Sequence, residues 1–187
     1  LSIRRQRQMC IRDSTGDMWK NHPCCVVCMN ENQVNANPEW SQKVMNAIVR
    51  AQIYSQQNKA EVARMLSKDG KGYLPMKADI VERAMTLYDE DSYATPDAIQ
   101  NPQWGSGRID FQPWPYPSAT RLIVNELKNT LVGGDTTFLQ DLDADFVADD
   151  LVDYRFVKAA MEKHTGWQQG PGFNADNPFE REEAIKL

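Results

Sequence analysis

The sequence predicts an α/β fold that is rich in helices and contains only a few short strands. Between Asn37 and Lys163 most apolar residues recur at three- and four-residue spacing, which is the period of a helix with one buried face. Val26 to Met29 instead form a short continuous apolar run bounded by polar residues, which is typical of a buried parallel strand. We therefore expect far more helix than strand.

The first long helix is predicted to begin at Asn37 and Pro38. Asparagine is a favoured N-cap residue, and proline suits the first helical position because it lacks the amide hydrogen that would have no partner there. The predicted buried face consists of the residues that recur with helical period: Trp40, Val44, Ala47, Ile48, Ala51 and Tyr54. Its exposed face is expected to carry polar residues: Lys43, Asn46 and Arg50.

Similar patterns predict further helices at residues 60–67, 77–88, 118–132, 143–151 and 154–163. Ser118 is the expected N-cap of the helix that follows Trp114 to Pro117. The two aromatic residues of that segment are expected to pin it to the body of the protein, with stacking on a planar ligand as the alternative.

Two segments lack helical period. Acidic residues, prolines and glycines predict a long loop at residues 89–107, in which Tyr93 and Trp104 provide the packing. After Thr165 glycine, proline and asparagine dominate, so we expect a surface strap there.

The charge balance excludes one class of partner. The chain holds 21 basic and 26 acidic residues, and beyond residue 14 the balance is 17 basic against 25 acidic, a net charge of −8. Such an acidic chain lacks the basic surface that nucleic-acid binding requires. It also has no run of about 18 apolar residues, so no membrane-spanning segment is predicted.

The cysteines permit several interpretations. Cys25 and Cys28 have the spacing of a redox pair or of half a zinc site. The two histidines, His22 and His164, are too few to complete a convincing zinc site. The valines between the cysteines favour buried, unligated thiols that behave as small hydrophobic side chains, with a disulfide as the alternative.

Sequence motifs give no sign of catalysis. The chain has no Gly-x-Ser-x-Gly elbow, phosphate loop, His-Glu-x-x-His motif or dinucleotide-binding glycine pattern. Asp141, Asp143 and Asp145 alternate like the start of a calcium-binding loop. However, Phe146 and Val152 stand where such a loop needs glycine and glutamate. We therefore expect these acids at a solvated helix N-terminus and predict no metal or other cofactor.

Residues 1–14 differ from the remainder of the chain. They contain four arginines and no periodic apolar face, and the run from Arg7 to Ser14 resembles a translated sequencing adapter. We expect a non-native tail, to be left out of any interpretation of the fold. The alternative is a basic arm that binds nucleic acid or anionic lipid.

Four segments, in this order and spacing, together resemble the extracytoplasmic substrate-binding proteins of nitrate-, bicarbonate- and sulfonate-type ABC importers: Asp17 to Pro23, Asn37 to Trp40, Trp114 to Leu122 and Phe173 to Pro178. The resemblance implies that residues 15–187 are the C-terminal portion of a two-lobed, type II periplasmic-binding-protein-like fold. Residues 15–112 would form the remainder of lobe two with its helices. Residues 113–187 would form the return helices and a C-terminal strap.

The resemblance also implies a function. Proteins of this family bind a small anion without chemistry and deliver it to ABC permease and ATPase subunits, in the periplasm or anchored outside the cytoplasmic membrane. The alternative is an enzyme on the same scaffold, similar to thiamine-pyrimidine synthases. Those enzymes use a pyridoxal-bearing lysine and histidines that cannot be placed on this chain.

Candidate ligand contacts follow from the same resemblance. Most contacts are expected from an N-terminal half that precedes these residues. In nitrate-type members a charged residue lies near the anion at the position of Cys25, so the thiol found here favours a larger or less charged solute than nitrate. His22 and Trp19, in the same segment, are the other candidates, and a structural role is the alternative for His22.

Overall fold

A computed structural model describes residues 15–86, 101–104, 109–130, 133–169 and 176–186. Its α-helices are α1 Thr15–Met18, α2 Glu31–Ala36, α3 Pro38–Gln57, α4 Lys59–Leu66, α5 Ala78–Met85, α6 Pro117–Leu127, α7 Thr137–Gln140, α8 Ala144–Leu151 and α9 Tyr154–Lys163. Short 3₁₀ helices occupy Pro102–Trp104 and Thr165–Gln169. The predicted richness in helix is confirmed. Within these ranges, no helix is both long and apolar enough to cross a membrane.

The described residues form two compact units, each assembled from separate parts of the sequence. The first lies within residues 1–22, 54–111 and 184–187, and the second within residues 23–53 and 112–183. In the first unit α4 packs against α5. The buried cluster between them contains Val62, Ala63, Val81 and Met85, against which Leu66, Leu74 and Phe111 pack. The helical period of residues 60–67 and 77–88 predicts burial of Val62, Val81 and Met85, which is confirmed. It also predicts burial of Ile80, which is wrong, because that side chain is 52% exposed.

The turn between α4 and α5 is held by side chains that act on the backbone. The Ser67 hydroxyl donates to the Arg64 carbonyl oxygen at 2.8 Å and accepts from the Asp69 amide at 3.2 Å. The Asp69 carboxylate accepts from the Ala78 amide at 2.9 Å, which gives the first residue of α5 a partner. Gly70 lies so close to the end of α4 that a Cβ atom there would overlap the Arg64 carbonyl oxygen.

In the second unit α6 packs against α8, and α9 contacts the 3₁₀ helix that follows it. The Asp143 carboxylate caps α8 by accepting from the amides of Asp145, at 2.9 Å, and Phe146, at 3.1 Å. This agrees with the predicted helix N-terminus. Asp153 caps α9 by accepting from the Arg155 amide, and the Arg155 side chain that donates to its carboxylate lowers the pKa of that carboxyl group.

The aromatic residues before α6 are buried. The Trp114 indole nitrogen donates to the Phe179 carbonyl oxygen at 3.0 Å, and the two rings meet edge to face with centroids 4.7 Å apart. The Arg181 guanidinium lies 4.4 Å from the centroid of the buried Tyr116 ring. These contacts confirm that the segment is pinned to its unit.

The predicted strand at Val26–Met29 is wrong. Residues 22–30 have no regular secondary structure, and Val26 and Val27 are 72% and 54% exposed. A strand in a sheet needs a neighbour to accept its amide hydrogens and donate to its carbonyl groups. None of the described residues pairs with this run. The expectation of buried cysteines is wrong for the same reason, because Cys24, Cys25 and Cys28 are exposed free thiols.

The start of α3 was predicted correctly, but its buried face was not. Ser41 and Val49 are fully buried, whereas Trp40 is 54% exposed. Two glutamines on the helix face inward: Gln42 donates to the Phe156 carbonyl oxygen at 3.0 Å, and Gln52 to that of Gln112 at 3.4 Å. Hydrogen-bonded amides thus occupy positions that a hydrophobic pattern assigns to the surface.

Three smaller expectations also need correction. The Ser118 hydroxyl donates to Glu183 at 2.6 Å instead of capping α6, whose N-cap position is Tyr116. Trp167 lies in the expected surface strap, yet it is buried and its indole donates to the Met161 carbonyl oxygen at 3.1 Å. The side chain of Asn37 donates back to the Gln33 carbonyl oxygen, at the end of the unpredicted α2. Most of the predicted loop at 89–107 lies outside the described residues.

Candidate ligand-binding segment

The candidate residues Trp19 and His22 lie in the first unit, on the turn that ends α1. The Trp19 amide donates to the Thr15 carbonyl oxygen at 2.9 Å, and the His22 amide donates to that of Trp19 at 3.3 Å. Asn21 completes the turn with a φ of 53°, in the left-handed region that asparagine tolerates better than most residues. The two candidate rings are therefore brought together, with centroids 6.2 Å apart.

The C-terminal residues fix this turn from the other side. Trp19 and Ile185 form an isolated antiparallel bridge. The Lys20 amide donates to the Ala184 carbonyl oxygen at 3.0 Å, and the Lys186 amide donates to that of Met18 at 2.8 Å. The backbone on both sides of Trp19 is thus held, and its position depends on residues from the opposite end of the chain.

A buried polar cluster lies beside the same turn. Asp17 is only 4% exposed, and its carboxylate and carbonyl oxygens accept from the amide and the side chain of Asn101 at 3.2 and 2.6 Å. The Lys186 ammonium donates to the Asn101 side-chain oxygen at 2.7 Å. The second carboxylate oxygen of Asp17 has no hydrogen-bond partner in the described part of the chain. Asn101 therefore links α1 to the C-terminal residues.

His22 is half-buried, and its Nε2 lies 3.1 Å from the Thr15 hydroxyl oxygen. Partial burial disfavours the charged ring and lowers the pKa of His22 below its ordinary value. At neutral pH the ring is therefore mainly uncharged. Any contact that it makes with an anion would be a hydrogen bond from a neutral imidazole, without the added attraction of a positive charge.

Cys25, the third candidate, belongs to the second unit and is exposed. Its thiol lies 3.7 Å from the Cys24 sulfur, to which it donates a weak hydrogen bond. Interaction with Cys25 raises the pKa of Cys24, so that thiol stays protonated at neutral pH. None of the three candidate side chains carries a positive charge at neutral pH. Binding of an anion would then depend mainly on backbone amides and on other residues.

Residues 8–67 match the NMT1-like family. This range takes in α1 to α4 and all three candidate residues, Trp19, His22 and Cys25. It also includes residues 8–14, which were expected to belong to a non-native tail and which lie outside the described residues.

Two proteins from cyanobacterial strains are similar to the chain. The nitrate/nitrite binding protein NrtA of Synechocystis sp. is 27% identical over 119 residues, which are 60% of this chain and 25% of that protein. The protein of the same name from Nostoc sp. is 36% identical over 72 residues, which are 37% of this chain and 16% of that protein. The matches thus span a quarter of these relatives or less. No solved structure matches the chain.

These matches confirm the resemblance to substrate-binding proteins of nitrate- and bicarbonate-type ABC importers. Both relatives are named as binding proteins and not as enzymes. The resemblance is partial. The family match covers about a third of the chain, and the match to the Synechocystis protein covers 60% of it.

Proposed function

We propose that the chain is part of the solute-binding component of an ABC importer for a small anion of the nitrate, bicarbonate or sulfonate type. The protein binds this anion without altering it and hands it to permease and ATPase subunits at the membrane. It acts in the periplasm or anchored on the outer face of the cytoplasmic membrane. The similarity to two nitrate/nitrite binding proteins is the observation that carries this proposal.

In this proposal residues 15–187 belong to the C-terminal portion of a two-lobed, type II binding-protein fold, with residues 15–112 in lobe two and 113–187 as return helices and strap. Ligand pockets are clefts in which a few polar groups orient the solute. The segment from Asp17 to Cys25 borders that cleft, and residues outside this chain supply most contacts. The hydrogen bonds that hold Trp19 on both sides support a role that needs a fixed backbone.

Cys25 determines the preferred anion in this proposal. Nitrate-type members resembling this chain carry a charged residue at the position, whereas a thiol offers only a weak hydrogen bond. Loss of the charge disfavours nitrate relative to anions that use more hydrogen bonds, such as sulfonates or bicarbonate. Trp19 supplies an apolar wall, and the neutral His22 one further hydrogen bond.

Calorimetry on the full-length protein tests the proposal, with nitrate, bicarbonate and methanesulfonate as ligands. Cys25→Lys should raise nitrate affinity by about 10- to 100-fold, since a hydrogen bond to a charged group contributes about 1.5–3 kcal/mol. Lys20→Gln is the matched control: we place the Lys20 side chain on the outer face of the segment, so this variant should leave affinity unchanged. Absence of binding for all three anions would contradict the function. An unchanged Cys25→Lys variant would contradict only the position of the site.

A further inference from the structure

Two adjacent exposed thiols, Cys24 and Cys25, form a cluster, and the proposed anion binding uses Cys25 alone and not the pair. The sulfur atoms of Cys24 and Cys25 lie 3.7 Å apart, and both cysteines are free. They stand in the stretch without regular structure before α2, so neither thiol is covered by a packed element. A third exposed thiol, Cys28, follows three residues later.

The geometry disfavours a disulfide between these two cysteines. Their sulfurs would have to approach from 3.7 Å to about 2.05 Å. Adjacent Cα atoms are about 3.8 Å apart across a trans peptide, whereas disulfides usually join Cα atoms about 4.4–6.8 Å apart. The small ring would also include the peptide bond between the two residues, which resists twisting. The pair is therefore suited to remain a reduced dithiol.

The pair is also poorly suited to zinc. A structural zinc ion takes four protein ligands. Within the described ranges, no group of three or more histidine, cysteine, aspartate or glutamate side chains is arranged to hold a metal ion. A ligand for this pair must therefore have a central atom that bonds to only two protein atoms. Its other bond must already be made to a group of the ligand itself.

The sulfur separation suits a pyramidal centre that makes two bonds to thiols. A central atom with bonds of about 2.3 Å to sulfur, the length of a zinc–thiolate bond, would see sulfurs 3.7 Å apart at about 107°, close to tetrahedral. Trivalent arsenic is such a centre. It is pyramidal and thiophilic, and in a monosubstituted arsenical its third bond is already made to carbon.

We propose that Cys24 and Cys25 form a bidentate binding site for a monosubstituted trivalent arsenical, R–As(OH)₂. Two S–H bonds and two As–O bonds break, two As–S bonds form, and two water molecules leave. Arsenic stays trivalent throughout, so no oxidant or reductant takes part. The second As–S bond forms within the chain, and this raises the affinity far above that of a single thiol. Cys28 takes no part.

Native mass spectrometry of the 187-residue chain with phenylarsine oxide tests this site. Cys10→Ser serves as the background because Cys10 is a further thiol. One phenylarsenic group per chain is expected, with a mass that shows the loss of two thiol hydrogens. An excess of a small dithiol should release this group. Cys24→Ser and Cys25→Ser should each weaken binding by about 100-fold, because each leaves a single As–S bond.

Cys28→Ser is the matched control, since it removes an equally exposed thiol from the same stretch. It should retain the affinity of the Cys10→Ser background. Circular dichroism should give the same helical signal for the Cys10→Ser background and for the three further variants, because Cys24, Cys25 and Cys28 are exposed. Three outcomes would overturn the site: no arsenical bound, full affinity in Cys24→Ser or Cys25→Ser, or a loss in Cys28→Ser as large as in Cys24→Ser. None of these outcomes bears on anion binding by the full-length protein.

Discussion

At the scale of single residues, the turn after α4 requires a glycine at position 70. Gly70→Ala should reduce the free energy of unfolding by about 1–3 kcal/mol, because the added methyl group would overlap the Arg64 carbonyl oxygen and force the backbone to shift. The Met65 carbonyl oxygen, 3.0 Å from the same Cβ position, blocks a second direction of escape. Urea denaturation followed by circular dichroism measures the loss.

Gly133→Ala is the control for this substitution. A Cβ atom at Gly133 meets nothing within 4 Å. The free energy of unfolding of this variant should therefore lie within about 1 kcal/mol of that of the parent. Equal losses in the two variants would show that removal of any glycine, and not overlap with Arg64, is responsible.

The sequence predicts the burial of some residues but not the hydrogen-bond partners of others. Burial of Trp114 and Tyr116 is predictable, because flanking prolines hold the chain extended and large apolar rings gain from packing. The Asp17 cluster is not predictable in this way. Asn101 lies 84 positions further along the chain than Asp17, and no local sequence pattern predicts a hydrogen bond between residues so far apart.

At the scale of elements, the carboxylate of Asp143 fixes the start of α8. Asp143→Ala should lower the free energy of unfolding by about 1 kcal/mol, since two amides at the helix N-terminus lose their acceptor. Asp150→Ala is the matched control in the last turn of α8, where a negative charge is unfavourable to the helix dipole. It should be neutral or slightly stabilising in the same urea titration. A loss as large as that of Asp143→Ala would contradict the capping role.

The starts of elements were predictable to the extent that local chemistry sets them. Pro38 and Asp143 mark helix N-termini by their own backbone and side-chain properties, and the structure places the starts of α3 and α8 there. The buried face of α3 depends on Gln42 and Gln52 meeting carbonyl groups far along the chain. The run from Val26 to Met29 has strand-like composition, but composition cannot supply a pairing neighbour.

At the scale of the whole molecule, apolar side chains lie open to water. The most exposed large ones include Val26, Tyr73, Phe138, Phe146 and Leu151. The 187-residue chain should therefore bind 1-anilinonaphthalene-8-sulfonate with a rise in fluorescence or should self-associate. A Val26→Ser, Val27→Ser double variant should bind less dye. Lys43→Ser, which replaces an exposed polar residue in the same unit, should leave dye binding unchanged. A monomer without dye binding would contradict this prediction.

The candidate site was predictable only as far as the resemblance reaches. It places Trp19 and His22 in one segment, and the structure brings their rings together on one turn. Their support from Ala184 and Lys186 could not be inferred, because hydrogen bonds between the two ends of a chain leave no periodic signal. For Cys25 the resemblance implies a missing charge, but nothing in the sequence indicates the exposed dithiol with Cys24.

The bridge between Trp19 and Ile185 has a consequence for the order of folding. Its two residues are 166 positions apart, and closing a flexible loop of that length costs on the order of 4–5 kcal/mol of chain entropy. Helices such as α4 and α5, which are near neighbours in sequence, can pair early because their contact closes only a short loop. The bridge between Trp19 and Ile185 becomes favourable only after other contacts have offset the entropy of the long loop. During synthesis Trp19 leaves the ribosome long before Ile185 is made, so the backbone on both sides of Trp19 is held only after those later residues have been added. The candidate contacts Trp19 and His22 thus take their final positions late in folding.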